Sequence, residues 1–182
     1  MSITPFNDGW TVGPPSGMFA GLGANGDAAA AVRLPHDALR DAIRVPGAPG
    51  KGAGAYYPNA AYSYVKTFTV PEEWEGRLVR LEIQGAYRHA QIFLNEELAG
   101  TRADGYARFF VDLTPFLRVG GANTLRIEVR AGQDARWYTG AGLHRPVLLH
   151  VDEPVHIEPD GVTVRTTRLE PDQAVLEVVT AV

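Results

Sequence analysis

The densest run of chemically capable side chains is Arg136-Trp137-Tyr138-Thr139-Gly140-Ala141-Gly142-Leu143-His144-Arg145. Trp137 and Tyr138 offer flat apolar faces with a polar edge, a surface that suits the C–H face of a sugar ring. Arg136 presents a planar fork of donors for hydroxyls or a carboxylate. Gly140 and Gly142 let the backbone turn where a side chain would clash. A structural account competes with this one, because most aromatics are simply buried and an arginine can pair with a neighbouring acid. On these ten residues alone a packed corner is the better account.

Other reactive types are scattered. The chain has no cysteine, which excludes disulfides, thiolate nucleophiles and thiolate metal sites. His36, His89, His144, His150 and His156 lack metal-ligand spacing and are expected to be solvated or hydrogen-bonded. No Gly-x-Ser-x-Gly elbow is present. The glycine-rich stretch from Gly47 to Gly54 has no Gly-Lys-Ser/Thr and no strand-loop-helix setting, so it is not a phosphate cradle. It reads as an irregular loop. Asn95-Glu96 ends a predicted strand and reads as a turn. Glycoside hydrolysis needs two facing carboxyls, and no credible pair is legible here. No metal and no cofactor is expected.

Strands must position these groups. Residues 62–70, 78–84, 90–94, 106–112 and 125–129 alternate large apolar with polar residues, the pattern of strands with one buried face. On the second of these, Arg80, Glu82 and Gln84 are expected to face away from the core. Residues 146–151 read as a buried strand. Gly76, Gly85, Gly100, Gly105 and Gly120-Gly121 mark turns between them. Thr114-Pro115 predicts one helical turn with Thr114 as its cap and Pro115 at the first position. Short, regular strands with glycine turns and almost no helix indicate a sandwich or jelly roll.

The bounds agree. The 182 residues suit one domain of ~150 residues with an appendage. The formal net charge of -4, with no basic run, argues against a nucleic-acid partner. No apolar stretch approaches the ~20 residues of a membrane span, and no signal peptide is legible at the start. A cytoplasmic protein is expected. Beyond residue 155 further strand-like runs follow, at 162–166 and 174–180. An isolated hairpin is marginal in water, so these residues predict the opening of a second sandwich, and the chain is expected to be a fragment of a longer protein. The tail is expected to pack on the first domain or on another copy.

The order of motifs resembles the N-terminal sugar-binding domain of glycoside hydrolase family 2, which includes β-galactosidases, β-glucuronidases and β-mannosidases. The matching pieces are residues 34–37 (Leu-Pro-His-Asp), 64–74, 81–86 and 90–95. Gly105-Tyr106 then leads to 110–117, Asn123-Thr124-Leu125 follows, and the run from Arg136 to Arg145 closes the domain. Three departures stand out. Asn-Gly usually follows the strand ending at Leu94, and here it is Asn95-Glu96, which argues against a type I′ turn because Glu disfavours positive φ. A tryptophan often follows the His-Asp pair, where Ala38 stands. In some branches an acid that touches substrate stands near Arg136.

The resemblance implies an all-β chain. Residues 1–152 would form a jelly-roll, galactose-binding-domain-like β-sandwich, and residues 153–182 the first strands of an immunoglobulin-like β-sandwich. It implies a non-catalytic, sugar-binding part of a β-galactosidase-like O-glycosyl hydrolase, shaping one side of its active site, with the catalytic carboxyls on a barrel later in the parent chain. The substrate-binding residues it points to are Asp37, Arg136 and Trp137, on two loops that should meet at one rim. Partners would be a β-glycoside and downstream domains, with no nucleic acid and no membrane; a homo-oligomer is possible. A stand-alone lectin-like module and a purely structural sandwich are the alternatives.

Overall fold

The computed structural model describes residues 2–15, 29–40, 42–58, 60–132 and 139–182. Its strands are β1 (Ser2–Pro5), β2 (Trp10–Gly13), β3 (Ala30–Val32), β4 (Ala60–Thr69), β5 (Leu78–Ile83), β6 (Ala90–Leu94), β7 (Glu97–Arg102), β8 (Phe109–Asp112), β9 (Ala122–Ala131), β10 (Val147–Asp152), β11 (Val162–Glu170) and β12 (Gln173–Thr180). One sheet has the order β3-β2-β4-β9-β6-β7, a second β1-β10-β5-β8, and β11 pairs with β12 alone. Every pairing is antiparallel. The chain passes repeatedly between the two larger sheets, as a jelly-roll sandwich requires.

Alternation puts the core between them. Val79, Leu81 and Ile83 of β5 face Ile92 and Leu94 of β6, Leu125, Ile127 and Val129 of β9, and Tyr64 of β4 within one buried cluster. Trp10 and Leu143 seal its margins. Apolar burial of this kind contributes roughly 25 cal/mol per Å² removed from water.

Several boundaries differ from the sequence expectation for identifiable reasons. The strand expected at 106–112 begins at Phe109, because Asp104 Oδ1 accepts from the amides of Tyr106 (2.9 Å) and Ala107 (2.6 Å) and folds those residues into a turn. At Thr114–Phe116 there is a single 3-10 turn. Its N-cap is Leu113, not Thr114, and it carries no side-chain cap bond; just before it, Asp112 Oδ1 accepts from Thr114 N at 2.9 Å. Thr114 instead accepts from Val79 N at 2.8 Å and ties the turn to β5. Asn95 (φ 51°) and Glu96 (φ 71°) form a two-residue turn with both residues at positive φ, contrary to expectation. The Asn95 side chain bonds Phe116 O and Asn123 Oδ1, each at 2.8 Å, and accepts from Thr124 N at 3.1 Å. Glu96 reaches Arg126 at 3.1 Å. These bonds hold a conformation that Glu alone would not choose.

The outward face of β5 is not solvated either. Arg80, Glu82 and Gln84 do turn away from the core. Yet Glu82 is buried, bonded to His150 at 2.8 Å and to Gln84 at 3.1 Å. Asp152 is fully buried and bonded to Arg80 at 3.0 Å. The connector after β10 covers this face. Arg77 pairs with Glu153, Arg80 with His156 and Glu158, and Arg108 with Asp160.

The hairpin of β11 and β12 has no strand partner beyond itself among the described residues. Of the tail expected to pack on the first domain or on another copy, residues 156–160 do pack on the sandwich, while the strands of the hairpin are largely exposed.

Candidate functional site

Register places several loops at one end. Val147, Ile83 and Phe109 align across one sheet, and Ala60 with Ala131, and Ala90 with Arg102, across the other. The connections 84–89 and 103–108, the described residues 139–146, and the start of β4 at Ala60 therefore meet on one rim. Loops on a rigid scaffold are where binding residues usually sit.

Gly142 is the centre of this rim. It exchanges two backbone hydrogen bonds with Tyr87, at 2.9 and 3.0 Å. On its other side residues 36–38 run alongside 141–143, with His36 N donating to Leu143 O at 2.8 Å and Ala38 N to Ala141 O at 2.7 Å. Gly142 has φ +118°, and a Cβ there would collide with Tyr64 Oη and stand 2.8 Å from His36 O. Only glycine fits.

Asp37 lies in this seam, half-buried. Its Oδ1 accepts from Leu39 N and from Ala141 N, both at 3.0 Å. Its Oδ2 faces Gly140, where an added Cβ would come within 3.0 Å of it. Asp37 therefore fastens residues 34–39 to the start of the 139–146 loop. Arg136 and Trp137 lie outside the described residues. Of the two segments expected to meet, residues 34–37 are joined to Gly140 and Ala141, the nearest described part of the second.

Next to Asp37 lies a pair that sequence reasoning did not single out, the buried Tyr64 and the half-buried His36. Tyr64 Oη is 2.8 Å from His36 Nδ1, and Leu143 N–H also bonds the phenol. The Tyr64 hydroxyl can donate to or accept from Nδ1 according to the tautomer of His36. Burial raises the Tyr64 phenol pKa far above its usual range. His36 also lines an open cleft of about 620 Å³ together with Tyr62, Arg33, Arg40, Pro35 and Ala61. Burial and the charge of Asp37 push Tyr62 up to about 12, so it remains a neutral phenol at physiological pH. The period-2 pattern that made β4 recognisable also hid these tyrosines, because it marks them only as core.

Across Gly142 the rim carries a second group. Tyr106 is half-exposed; its ring lies 5.2 Å from that of Tyr87 and 5.7 Å from that of His144. Burial, with a smaller contribution from Arg145, lowers the His144 pKa. Among the described residues no cluster of three His, Asp or Glu side chains is arranged to hold a metal ion. His36, His150 and His156 are all hydrogen-bonded.

Known proteins share this architecture. The family described as glycosyl hydrolase 2 galactose-binding domain-like matches residues 53–146. The beta-galactosidase BoGH2A of Bacteroides ovatus is 35% identical over 150 residues, which is 81% of this chain and 18% of that protein. A beta-glucuronidase of Formosa agariphila is 30% identical over 108 residues, 52% of this chain and 11% of its own length. Among solved structures, a glycosyl hydrolase family 2 member from Bacteroides cellulosilyticus superposes with a TM-score of 0.85 at 25% identity, covering 99% of this chain and 24% of that one. A beta-glycosidase from Bacteroides vulgatus gives 0.81 at 27% identity, covering 100% and 24%. The chain thus spans about a fifth of the B. ovatus relative and about a quarter of each of these structures. A jelly-roll sandwich with these matches identifies the chain as a galactose-binding-like, N-terminal-type domain belonging to glycosyl hydrolase family 2.

Proposed function

We propose that this chain is the sugar-binding part of a β-galactosidase- or β-glucuronidase-like enzyme and forms one side of its active site. The observation that supports it best is the seam at Asp37. A carboxylate fixed by two backbone amides holds the 34–39 loop, which lines the cleft, and the 139–146 loop in one arrangement. Such pre-organisation lowers the ordering cost of binding a polyhydroxylated ligand. In this reading Asp37 Oδ2 accepts from a sugar hydroxyl or holds Arg136. Arg136 donates to hydroxyls or a carboxylate, and Trp137 stacks or supports the wall. The two carboxyls that hydrolysis requires belong to later parts of the enzyme. The β11–β12 hairpin is the opening of an immunoglobulin-like domain.

The test is direct. In the complete enzyme, Arg136→Ala is expected to lower kcat/KM about tenfold or more, since a charged hydrogen bond is worth ~1.5–3 kcal/mol, with Tm nearly unchanged. Unchanged kinetics with a large loss of stability would reduce Arg136 to scaffold. The chain by itself is expected to be inert toward aryl glycosides, and turnover abolished by Glu96→Gln would overturn the assignment.

A further inference from the structure

We infer that Tyr106 is a stacking platform for a second sugar ring, one linked to the ring bound beside Asp37. The inference rests on the reading of the rim as a sugar site and extends it from a monosaccharide to an oligosaccharide. Tyr106 is a large aromatic with 49% of its surface exposed at the loop end of the sandwich.

Its exposure is enforced by its surroundings. The Asp104 carboxylate binds the amides of Tyr106 and Ala107. Arg145 Nη1 donates to Tyr106 O at 2.9 Å and to Gln84 O at 3.5 Å. Gly105 leaves no room for a side chain, because a Cβ there would run into the Tyr87 ring. The Tyr106 ring is tilted 54° to Tyr87, and His144 approaches it edge-on at 68°. Both backbone and ring are therefore set before any ligand arrives. A preset aromatic loses little entropy on binding.

The platform and the Asp37 seam share one scaffold. Tyr87, which supports Tyr106, is bonded to Gly142, and Gly142 sits in the strand-like segment that Asp37 and His36 grip. At the usual ~4.8 Å spacing of adjacent extended segments, Tyr87 lies about 10 Å across the rim from the 36–38 backbone. The Tyr106 ring packs on Tyr87 and His144, so a ligand that reaches it from the 36–38 segment is extended and linked. The C–H face of a pyranose matches the ring face of Tyr106. Arg145, exposed beside it, has N–H groups left to donate to ring hydroxyls, since it carries five and uses Nη1 on the two carbonyls.

The experiment titrates the full 182-residue chain with methyl β-galactopyranoside and with a β-linked galactotetraose by calorimetry or ligand-observed NMR. The tetraose is expected to bind about threefold to tenfold tighter, the range an aromatic stacking contact supplies. Tyr106→Ala should erase that difference while leaving the monosaccharide affinity unchanged. Tyr106→Trp should keep or enlarge the difference and report it as an indole emission change. Asp37→Asn should weaken both ligands. If Tyr106→Ala retains the full preference for the tetraose, the platform is refuted while the Asp37 site stands. If neither sugar binds wild type, the reading of the rim falls and the platform falls with it.

Discussion

Replacing Gly142 by alanine probes the seam on which the rim depends. Two costs add. The backbone sits at φ +118°, a conformation that costs an L-residue roughly 1–3 kcal/mol. The new methyl would collide with Tyr64 Oη, would stand 2.8 Å from His36 O and would lie 3.1 Å from Tyr64 Cζ. Overpacking of this sort costs about 1–3 kcal/mol. The expected loss is therefore about 2–6 kcal/mol, which at roughly 2–4 °C per kcal/mol for a chain of this size lowers Tm by at least ~4 °C. Urea unfolding followed by circular dichroism measures it. Gly47→Ala is the control, since nothing lies within 4 Å of a Cβ there, and it should stay within about 0.5 kcal/mol of wild type. Combining Gly142→Ala with Tyr64→Phe removes one colliding atom but neither His36 O nor the backbone strain. The double variant should recover part of the loss, with a coupling of about 0.5–3 kcal/mol. If Gly142→Ala melts with wild type, the claim that the seam excludes a side chain is wrong.

Arg80→Met leaves the fully buried Asp152 without its guanidinium and should cost about 3–5 kcal/mol by urea titration; a loss under 1 kcal/mol would show that the pair is replaceable. Asn123→Ala removes an amide that bonds Arg118 N and O and Asn95. It should cost about 2–4 kcal/mol, because buried groups are left unpaired, and it should leave sugar binding at the far end intact by calorimetry. Burial holds the His144 pKa below that of a free imidazole. The unfolded chain therefore binds the proton more readily, and this contribution to stability is present above ~6.5 and lost as pH falls below it. His144→Gln should flatten that part of the stability–pH curve, and an unchanged slope would refute the assignment.

The strands were legible in the sequence because each has one buried face, and the period-2 pattern of β5, β6 and β9 records which. What the pattern could not convey is how the outer faces are used. Glu82 and Arg80 look like solvated residues until a connector 70 or more positions away closes over them. The Asn95-Glu96 turn defeats local propensity through bonds to residues 116, 123, 124 and 126. Of the site, Asp37 was legible only through family resemblance, and the structure adds its hold on Leu39 and Ala141. His36, Tyr64 and Gly142 come together from separations of 28 residues and more, which no local motif encodes.

The connector has a mechanical consequence. Three arginines spread over the sandwich surface, at positions 77, 80 and 108, hold acids at 153, 158 and 160. Three ion pairs along the connector restrict the torsional freedom a linker would otherwise have. Residues 153–161 therefore behave as a splint. The β11–β12 hairpin leaves it at a set bearing, with Val162, Val164, Leu176 and Val178 on one side and the Arg165–Glu177 pair on the other. Turning that arm strains ion pairs to Arg77 and Arg80, so the hairpin is linked through the connector to β5, the strand that leads into the rim.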